Sequence, residues 1–312
     1  TIGGNIMRCI VTGGAGFIGS NLVDKLIDEG HEVIIFDNLS TGQQKNINPK
    51  AKFFLIDIAH QPYFENKTMK DIMSGVDVVF HLAALARVQP SIENPIEYHN
   101  TNINGTLNML DACRKYGVKR FVFSSSSSVY GDVREEDLPT SENSELNPMS
   151  PYALHKLVGE QYCKLYSELY GLETVSLRYF NVYGERQPIE GAYTLVMGVF
   201  AQQRLNGEKM TIRGDGEQRR DFTYVGDVVE ANIKCMEYPL ELNGDILNVG
   251  NGDNKSVNDI ADLIGGERVN LEPVIEPRVT LADNTKIKKL LDWKPTQDLN
   301  QWVGKWVKDL GI

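Results

Sequence analysis

The sequence lacks the features that mark several simpler classes of protein. No apolar run approaches the roughly 18 residues of a membrane-spanning helix, and we find no charged-then-apolar leader, so we expect no membrane partner. A net charge of -10 without a basic cluster disfavours a nucleic-acid surface. Four scattered cysteines, without Cys-x-x-Cys spacing, predict buried, reduced thiols in a cytoplasmic protein. They are Cys9, Cys113, Cys163 and Cys235.

A metal-ligand spacing is also missing. His81 ends a predicted strand, and no second histidine, cysteine or carboxylate stands at a ligand spacing from it. We interpret His81 as a structural residue rather than as a base or a ligand, and we predict no metal site.

A glycine pattern is present near the start of the chain. Cys9-Ile10-Val11 is a short apolar run typical of a buried parallel strand, and a Gly-x-x-Gly-x-x-Gly turn and helical apolar spacing follow it. Strand, glycine turn and helix in this order open a dinucleotide-binding unit, with the pyrophosphate at the helix N-terminus. The alternative is a turn without a ligand. The cofactor residues predicted here are Gly13, Gly16, Phe17, Ile18 and Gly19.

An acidic residue ends the second predicted strand. Asp37 can accept hydrogen bonds from the adenosine ribose and would repel a 2′-phosphate, which favours NAD over NADP. The alternative is an aspartate that only caps a turn. The polar turn that follows suits the adenosine, and the end of the third strand can reach the adenine edge. The corresponding residues are Asn38, Ser40, Thr41, Gly42, Asp57 and Ile58.

Two later strands end in small or hydroxylated residues. The fourth runs into Leu82, Ala83 and Ala84, whose small alanines let backbone lie close to a cofactor. The fifth runs into Ser124–Ser128, at the strand end where open α/β sheets bind ligands. A flexible serine linker is the alternative. Because apolar residues flank the run closely, we favour a site.

Tyr152 and Lys156 stand four residues apart on a predicted helix and therefore share one face. A cation beside a phenol favours the phenolate and lowers its pKa from the usual ~10. Such a phenolate is a usable general base near neutral pH. The pair is usually structural by itself, but with the NAD pattern and the serines it indicates catalysis.

The order of the predicted elements indicates an α/β fold. Strands and helices alternate as in a Rossmann doubly wound parallel sheet, which predicts an NAD-binding domain over 7–181. The alternation then loosens, which predicts a smaller C-terminal substrate-binding lobe over 182–312. Leu247-Asn248-Val249-Gly250 looks like a strand, so we expect part of 222–250 to return to the main sheet and the lobe to be interleaved.

The motifs together resemble one family. TGGAGFIGS, DNLSTG, HLAA, PSIENP, TNINGT, SSSSSVYGD, SPYALHK, LRYFNVYG and RRDFTYVGDV occur in the order of the extended short-chain dehydrogenase/reductase family of nucleotide-sugar enzymes, over almost the whole chain. The chain is similar in particular to the UDP-hexose 4-epimerases. The resemblance implies an NAD-dependent isomerase, a UDP-sugar-binding lobe, and a homodimer through helices at 95–116 and 151–170.

The resemblance also implies catalytic roles. Tyr152 would be the base, Lys156 would hold the nicotinamide ribose, and the position four before the tyrosine of VYG selects Ser126 as its partner. The sugar's 4-hydroxyl would be oxidised to a transient 4-keto sugar and reduced on the opposite face. Further cofactor residues within the matching motifs are Asn102, Ser124 and Tyr179.

For the substrate, the resemblance places Ser128 at the sugar, Asn181 near the phosphates and Arg220 on the diphosphate, where a guanidinium suits the geometry. An arginine stretch common in relatives is missing, and Arg278 would have to replace it through a shorter loop. Alternatively, the diphosphate relies more on Arg220.

The same positions distinguish relatives with other reactions. Dehydratases carry Asp-Glu after the catalytic Ser/Thr, and UDP-glucuronate decarboxylases carry a glutamate two residues before the VYG tyrosine. Ser127 and Ser128 stand there instead, which favours epimerisation. A UDP-glucuronate 4-epimerase, a keto-sugar reductase and a non-catalytic NAD-sensing protein remain as alternatives.

The preferred sugar depends on one pocket position. Thr280 is small where a bulky tyrosine restricts relatives to glucose and galactose, and Gly191-Ala192-Tyr193 resembles the N-acetylhexosamine type. We therefore expect interconversion of UDP-GlcNAc and UDP-GalNAc, with UDP-glucose and UDP-galactose also accepted. The alternative is that the β-branched threonine crowds the acetamide, which leaves UDP-glucose 4-epimerase activity only.

Overall fold

The computed structural model describes residues 5–191, 194–274 and 276–312, and the chain forms two compact, interleaved units. Compared with the predicted ranges 7–181 and 182–312, residues 130–147 and 179–181 belong to the second unit, and residues 229–247 belong to the first, within the range 222–250 that was expected to return in part to the main sheet. The first unit contains the residues up to Val129, Pro148–Arg178 and Val229–Leu247. The second contains Tyr130–Asn147, Tyr179–Val228 and Asn248–Ile312.

A seven-stranded parallel sheet confirms the predicted α/β fold. Its strands in chain order are β1 Arg8–Thr12, β2 Glu32–Asp37, β3 Lys52–Leu55, β4 Val78–His81, β5 Arg120–Ser126, β6 Glu173–Tyr179 and, after the short strands given below, β11 Asp245–Val249. Their order across the sheet is β11-β6-β5-β4-β1-β2-β3. The winding therefore reverses between β1 and β4, the place where such sheets bind ligands beyond the strand ends.

The strands form because their residues are apolar on both faces. Cys9, Ile10 and Val11 of β1 are fully buried, which fits a central parallel strand covered by helices on both sides. All four cysteines are buried and none forms a disulfide, as predicted.

The helices follow the strands in the predicted order. The helix expected over 95–116 is interrupted by a π-helical turn at Asn100–Asn104. The α-helices are α1 Phe17–Asp28, α2 Lys67–Met73, α3 Val88–Glu93, α4 Pro95–His99, α5 Gly105–Tyr116, α6 Pro151–Tyr170, α7 Val196–Leu205, α8 Val225–Glu237, α9 Val257–Ile264, α10 Thr285–Leu291 and α11 Leu299–Leu310. Within the described part of the chain, none is long and apolar enough to cross a membrane.

Helix α6 is fixed at both its start and its middle. Ser150 Oγ accepts a hydrogen bond from the Ala153 N–H at 3.1 Å, and Pro151 occupies the first turn, as expected for a helix start. Farther along, buried Glu160 forms an ion pair with Arg178 of β6 at 2.7 Å and accepts a hydrogen bond from Ser125 of β5. These contacts hold the helix against β5 and β6, whose ends contain predicted site residues.

The second unit contains three two-stranded sheets around its own apolar core. The core includes Phe200, Ile260 and Trp302. Its remaining strands are β7 Val182–Tyr183, β8 Met210–Arg213, β9 Arg219–Arg220, β10 Thr223–Tyr224, β12 Lys255–Ser256 and β13 Arg268–Leu271. They pair as β7 with β10, β8 with β13 and β9 with β12.

Candidate active site

The glycine turn between β1 and α1 is packed too tightly for side chains. Gly13 has a φ of +71°, and a Cβ there would lie 2.8 Å from the backbone nitrogen of Ala83. A Cβ on Gly19 would lie 2.1 Å from the Gly13 carbonyl oxygen. The Gly16 N–H donates to that same oxygen at 3.1 Å. The turn therefore brings bare backbone to the start of α1, and the predicted Phe17 and Ile18 begin that helix.

Asp37 lies buried at the end of β2, beside the glycine turn. Its Oδ2 accepts a hydrogen bond from the Ala15 N–H at 3.0 Å, and its Oδ1 accepts one from the Leu39 N–H at 2.8 Å. A carboxylate has about four acceptor positions, so capacity for a ribose remains. A Cβ on Gly42 would lie 2.8 Å from Oδ1, which places this turn against the carboxylate. The turn also contains the predicted residues Asn38, Ser40 and Thr41.

The ends of β1 and β4 are tied together by one hydroxyl. Thr12 Oγ1 accepts hydrogen bonds from the N–H groups of Leu82 and Ala83, both at 3.1 Å. Ala84 follows directly and is half-buried. These predicted residues therefore lie beside the glycine turn.

At the end of β3, the predicted residues Asp57 and Ile58 both have contacts within the first unit. Asp57 accepts a hydrogen bond from the Ala59 N–H at 2.9 Å, and Ile58 is buried against Gly105 of α5. Asn102, predicted to contact the cofactor, uses both ends of its amide on Leu85. Its Oδ1 accepts from the Leu85 N–H at 2.8 Å and its Nδ2 donates to the Leu85 carbonyl at 2.9 Å. In this structure Asn102 anchors the loop after β4.

The three predicted catalytic residues lie together at the ends of α6 and β5. The Ser126 hydroxyl forms a hydrogen bond with the Tyr152 phenol. Lys156 Nζ lies 5.8 Å from the centroid of the Tyr152 ring and donates to the Ser124 carbonyl at 2.7 Å. The Ser128 N–H donates to Ser126 Oγ at 3.1 Å. The buried Ser128 Oγ has no hydrogen-bond partner among the described residues, as suits a group reserved for a ligand.

The pKa of the tyrosine shifts in the direction opposite to the expectation. Burial raises the pKa of Tyr152, although the Ser126 hydrogen bond and the charge of Arg87 oppose this effect. The predicted lowering by Lys156 is not found: the cation that acts on the phenol is Arg87, and burial of the phenol outweighs its effect. Burial also lowers the pKa of Lys156 to about 8.

Arg87 is a site residue that the sequence interpretation missed. It lies between β4 and α3 with a φ of +87°, in the left-handed region that arginine rarely adopts. Its guanidinium acts electrostatically on Tyr152 and Tyr98. The sequence does contain a signal for it, namely an arginine just beyond HLAA, at a strand end next to the predicted cofactor site.

In the second unit, both predicted phosphate-binding arginines are paired with carboxylates. Arg220 is mostly buried, and its Nη2 lies 2.6 Å from Glu276 Oε2. Arg278 is exposed and forms a bidentate salt bridge with Asp215, with N–O distances of 2.8 and 2.9 Å. A cavity of about 350 Å³ adjoins these groups, with Arg213, Gln218, Glu276 and Arg278 in its wall.

The other predicted substrate residues lie on neighbouring backbone segments of this unit. Thr280 is half-buried, and its Oγ1 accepts a hydrogen bond from the Asp221 N–H at 3.1 Å. The Asn181 carbonyl accepts from the Thr223 N–H at 3.1 Å. Tyr179, predicted to contact the cofactor rather than the substrate, is buried at the end of β6. Ala192 and Tyr193 lie outside the described residues.

Comparison with known proteins decides the family. The model of the NAD dependent epimerase/dehydratase family matches residues 9–250. The chain belongs to this family. It is 35% identical over 317 residues to the UDP-glucose 4-epimerase of Mycolicibacterium smegmatis, with 97% of this chain and 98% of that protein covered.

Solved structures of this family share the whole fold. The UDP-glucose 4-epimerase of Thermotoga maritima, solved with UDP-glucose, has a TM-score of 0.89 at 39% identity and covers 97% of this chain and 98% of its own. The UDP-N-acetylglucosamine 4-epimerase of Methanobrevibacter ruminantium, in complex with UDP-N-acetylmuramic acid, has a TM-score of 0.88 at 36% identity, with 97% of each chain covered. The predicted family resemblance is confirmed, and the chain is an NAD-dependent isomerase of the UDP-sugar 4-epimerase type.

The residues of the first unit fit NAD. The glycine turn leaves no room for a Cβ at Gly13 or Gly19, so backbone can approach a pyrophosphate at the start of α1. Asp37 presents a carboxylate at the end of β2, where it would accept from ribose hydroxyls and repel a 2′-phosphate.

Proposed function

We propose that the enzyme interconverts UDP-GlcNAc and UDP-GalNAc, and also UDP-glucose and UDP-galactose, through a transient 4-keto sugar. The observation that carries this proposal is the grouping of Tyr152, Ser126 and Lys156, with serines at positions 127 and 128. Without a carboxylate at those two positions, the chemistry ends with oxidation and reduction at C4.

In this mechanism the proton of the sugar's 4-hydroxyl passes to Ser126. Ser126 passes its own proton to the Tyr152 phenolate through their hydrogen bond. When bound, NAD would supply the hydride-transfer chemistry at C4. Lys156 holds the nicotinamide ribose and keeps positive charge near the phenol. The proton returns from Tyr152 when the keto group is reduced on its other face.

The uridine diphosphate is held by the second unit in this proposal. Arg220 is mostly buried and carries a fixed positive charge beside the cavity wall, as diphosphate binding requires. Glu276 occupies its guanidinium in the structure, so a diphosphate would take over this contact. Arg278, two-point paired with Asp215, is the second candidate.

Thr280 supports the acceptance of N-acetylated sugars. It lies in the second unit with its hydroxyl turned to the Asp221 backbone, so it presents a small side chain rather than a large aromatic ring. A small pocket residue leaves room for a 2-acetamido group.

The first experiment is incubation of the purified protein, without added cofactor, with UDP-GlcNAc or UDP-glucose, followed by chromatography that resolves the C4 epimers. We expect both epimers to form. UDP-galactose alone would keep the mechanism but remove the N-acetyl assignment. No epimer from either sugar, even with NAD added, would contradict the proposal and direct the test to UDP-uronic acids.

Replacement of Tyr152→Phe tests the mechanism itself. The variant should lose at least about 10²-fold in kcat, since general acid–base groups contribute 10²–10⁴-fold, while NAD stays bound. The control Tyr63→Phe changes an exposed tyrosine and should keep full activity. Wild-type turnover in Tyr152→Phe would refute the assignment of the base.

We also propose a cytoplasmic homodimer that uses α4, α5 and α6. Large apolar side chains are exposed on α4 and α6, which supports burial against a second copy. They are Ile96, Leu154, Leu165 and Leu169. The four buried, unbridged thiols fit a reducing compartment.

A further inference from the structure

The loop between β4 and α3 is held rigidly against the start of α6. Asn102 binds both backbone groups of Leu85, and the Tyr98 hydroxyl donates to the Ala86 carbonyl at 2.6 Å. On the other side of Arg87, Ser91 Oγ accepts a hydrogen bond from the Tyr152 N–H at 3.2 Å. Arg87 is therefore fixed between two anchors, one of which is the backbone of the catalytic tyrosine.

The strained backbone conformation of Arg87 indicates that its side chain has a functional role. A φ of +87° with ψ of 143° is costly for any residue except glycine, on the order of 1–3 kcal/mol. A glycine would relieve this strain, yet an arginine stands there. Strain of this kind concentrates at functional sites.

Polar and charged groups from three segments act on or approach the Tyr152 ring. Ser126 approaches from β5, Arg87 from the loop before α3, and Lys156 from one turn farther along α6. Around these lie Tyr98 beside Arg87, Glu160 beside Lys156, and the ring pair of His99 and His155 between α4 and α6.

The two cations differ in how firmly they keep their charge. Burial lowers the pKa of Lys156 to about 8, so this ammonium group loses its charge in mildly alkaline solution. Burial also lowers the pKa of Arg87, but a guanidinium stays charged in proteins. The electrostatic influence that favours ionised Tyr152 comes from Arg87.

We propose that Arg87 is a positioning residue for the reaction, whose guanidinium stabilises the phenolate form of Tyr152 together with Lys156. This inference rests on the proposed function, because it gives the general base a second cation. Arg87 acts through Tyr152, so its loss weakens proton transfer and not the binding of the UDP group.

The test measures ionisation of Tyr152 directly and therefore does not depend on the identity of the sugar. Tyrosinate absorbance is followed against pH in the NAD-loaded protein, and the Tyr152→Phe titration is subtracted to isolate the one phenol. In Arg87→Met we expect the midpoint to rise by about one pH unit or more. Arg87→Lys should return it towards the wild-type value.

Kinetics provide the second measurement. The acid limb of the pH profile of kcat/KM should move with the absorbance midpoint in Arg87→Met, while KM changes little. Gln89→Met, at an exposed position of α3, should leave both profiles unchanged. If Arg87→Met fails to fold, Arg87→Gly removes the cation and relieves the strained backbone, and it replaces the methionine variant.

An unchanged midpoint in a folded Arg87→Met or Arg87→Gly variant would overturn the proposal. A shifted midpoint in a protein that epimerises no UDP-sugar would uphold the role of Arg87 and reject the proposed function, so the two failures are distinguishable.

Discussion

Asp221 organises the segments of the second unit that are proposed to meet the sugar nucleotide. Its buried carboxylate accepts hydrogen bonds from the N–H groups of Asn251, Gly252 and Ala282 at 2.7 to 3.0 Å. Its own N–H donates to Thr280 Oγ1. Burial raises the pKa of Asp221 to about 6, although these N–H groups oppose the shift. Thr280 is therefore fixed by a hydrogen bond as well as by chain connectivity.

Thr280→Tyr tests the proposed selection of the sugar. A bulky ring should lower kcat/KM for UDP-GlcNAc relative to UDP-glucose by about tenfold or more, in the range that hydrophobic pockets achieve against one extra group. The ratio of kcat/KM values measures it. Thr280→Ser keeps a hydroxyl for the Asp221 N–H and should retain the wild-type ratio. If Thr280→Tyr kept the wild-type ratio of kcat/KM values, position 280 would not contact the acetamide.

At the scale of elements, the turn between β1 and α1 depends on Gly19. A methyl group there would meet the Gly13 carbonyl at 2.1 Å, so the turn and the start of α1 must separate. Gly19→Ala should weaken NAD binding at least about tenfold and lower the melting temperature. Equilibrium titration with NAD and thermal unfolding measure the two effects.

Gly304 offers a matched control within α11. Outside the backbone of α11 itself, no atom of the described residues lies within 4 Å of a Cβ placed there, so Gly304→Ala should keep NAD affinity and gain up to about 1 kcal/mol of stability from helix propensity. Unchanged NAD affinity in Gly19→Ala would refute the role given to the turn.

The features predicted correctly are those encoded by local spacing. The glycine turn and the apolar strands depend on neighbours in the chain, so their pattern is visible in the sequence. The four-residue spacing likewise places Tyr152 and Lys156 on one helical face. The resemblance then singled out Ser126, which does contact the phenol.

The features that were missed depend on tertiary contacts. Arg87 acts electrostatically on Tyr152 from a loop next to which Ser91 and Asn102 form hydrogen bonds. The net rise in the pKa of Tyr152 depends on burial, which spacing does not reveal. The pairing of Arg220 with Glu276 likewise joins segments far apart in sequence.

At the scale of the whole molecule, His81 links stability to pH. Its ring is fully buried, with Nδ1 2.8 Å from Thr12 Oγ1 and Nε2 3.0 Å from Thr106 Oγ1. Burial, and secondarily the charge of Lys156, lowers the pKa of His81 from 6.5 to about 3. The folded pKa lies below the unfolded one, so the stabilisation is complete above pH 6.5 and is lost as pH falls toward 3.

Urea unfolding at pH 7 and pH 5 tests this linkage. Because of one buried neutral histidine, the free energy of unfolding should fall by about 2 kcal/mol from pH 7 to pH 5. The slope is about 1.4 kcal/mol per pH unit below the unfolded pKa. His81→Gln should lose this part of the pH dependence. The control His60→Gln, at an exposed position, should retain it. The same slope in His81→Gln as in the wild type would contradict the explanation.

The interleaved chain has a consequence for synthesis on the ribosome. Strand β6 lies between β5 and β11 in the sheet, yet β11 follows the long excursion of the chain into the second unit. The ribosome adds roughly 5–20 residues per second, so β11 is synthesised on the order of several seconds after β6. An unpaired strand edge invites association with other chains. The nascent protein therefore passes through a period in which chaperone protection of this edge would matter most. Release of a chain truncated before Asp245 would leave the edge open permanently, because such a chain lacks β11.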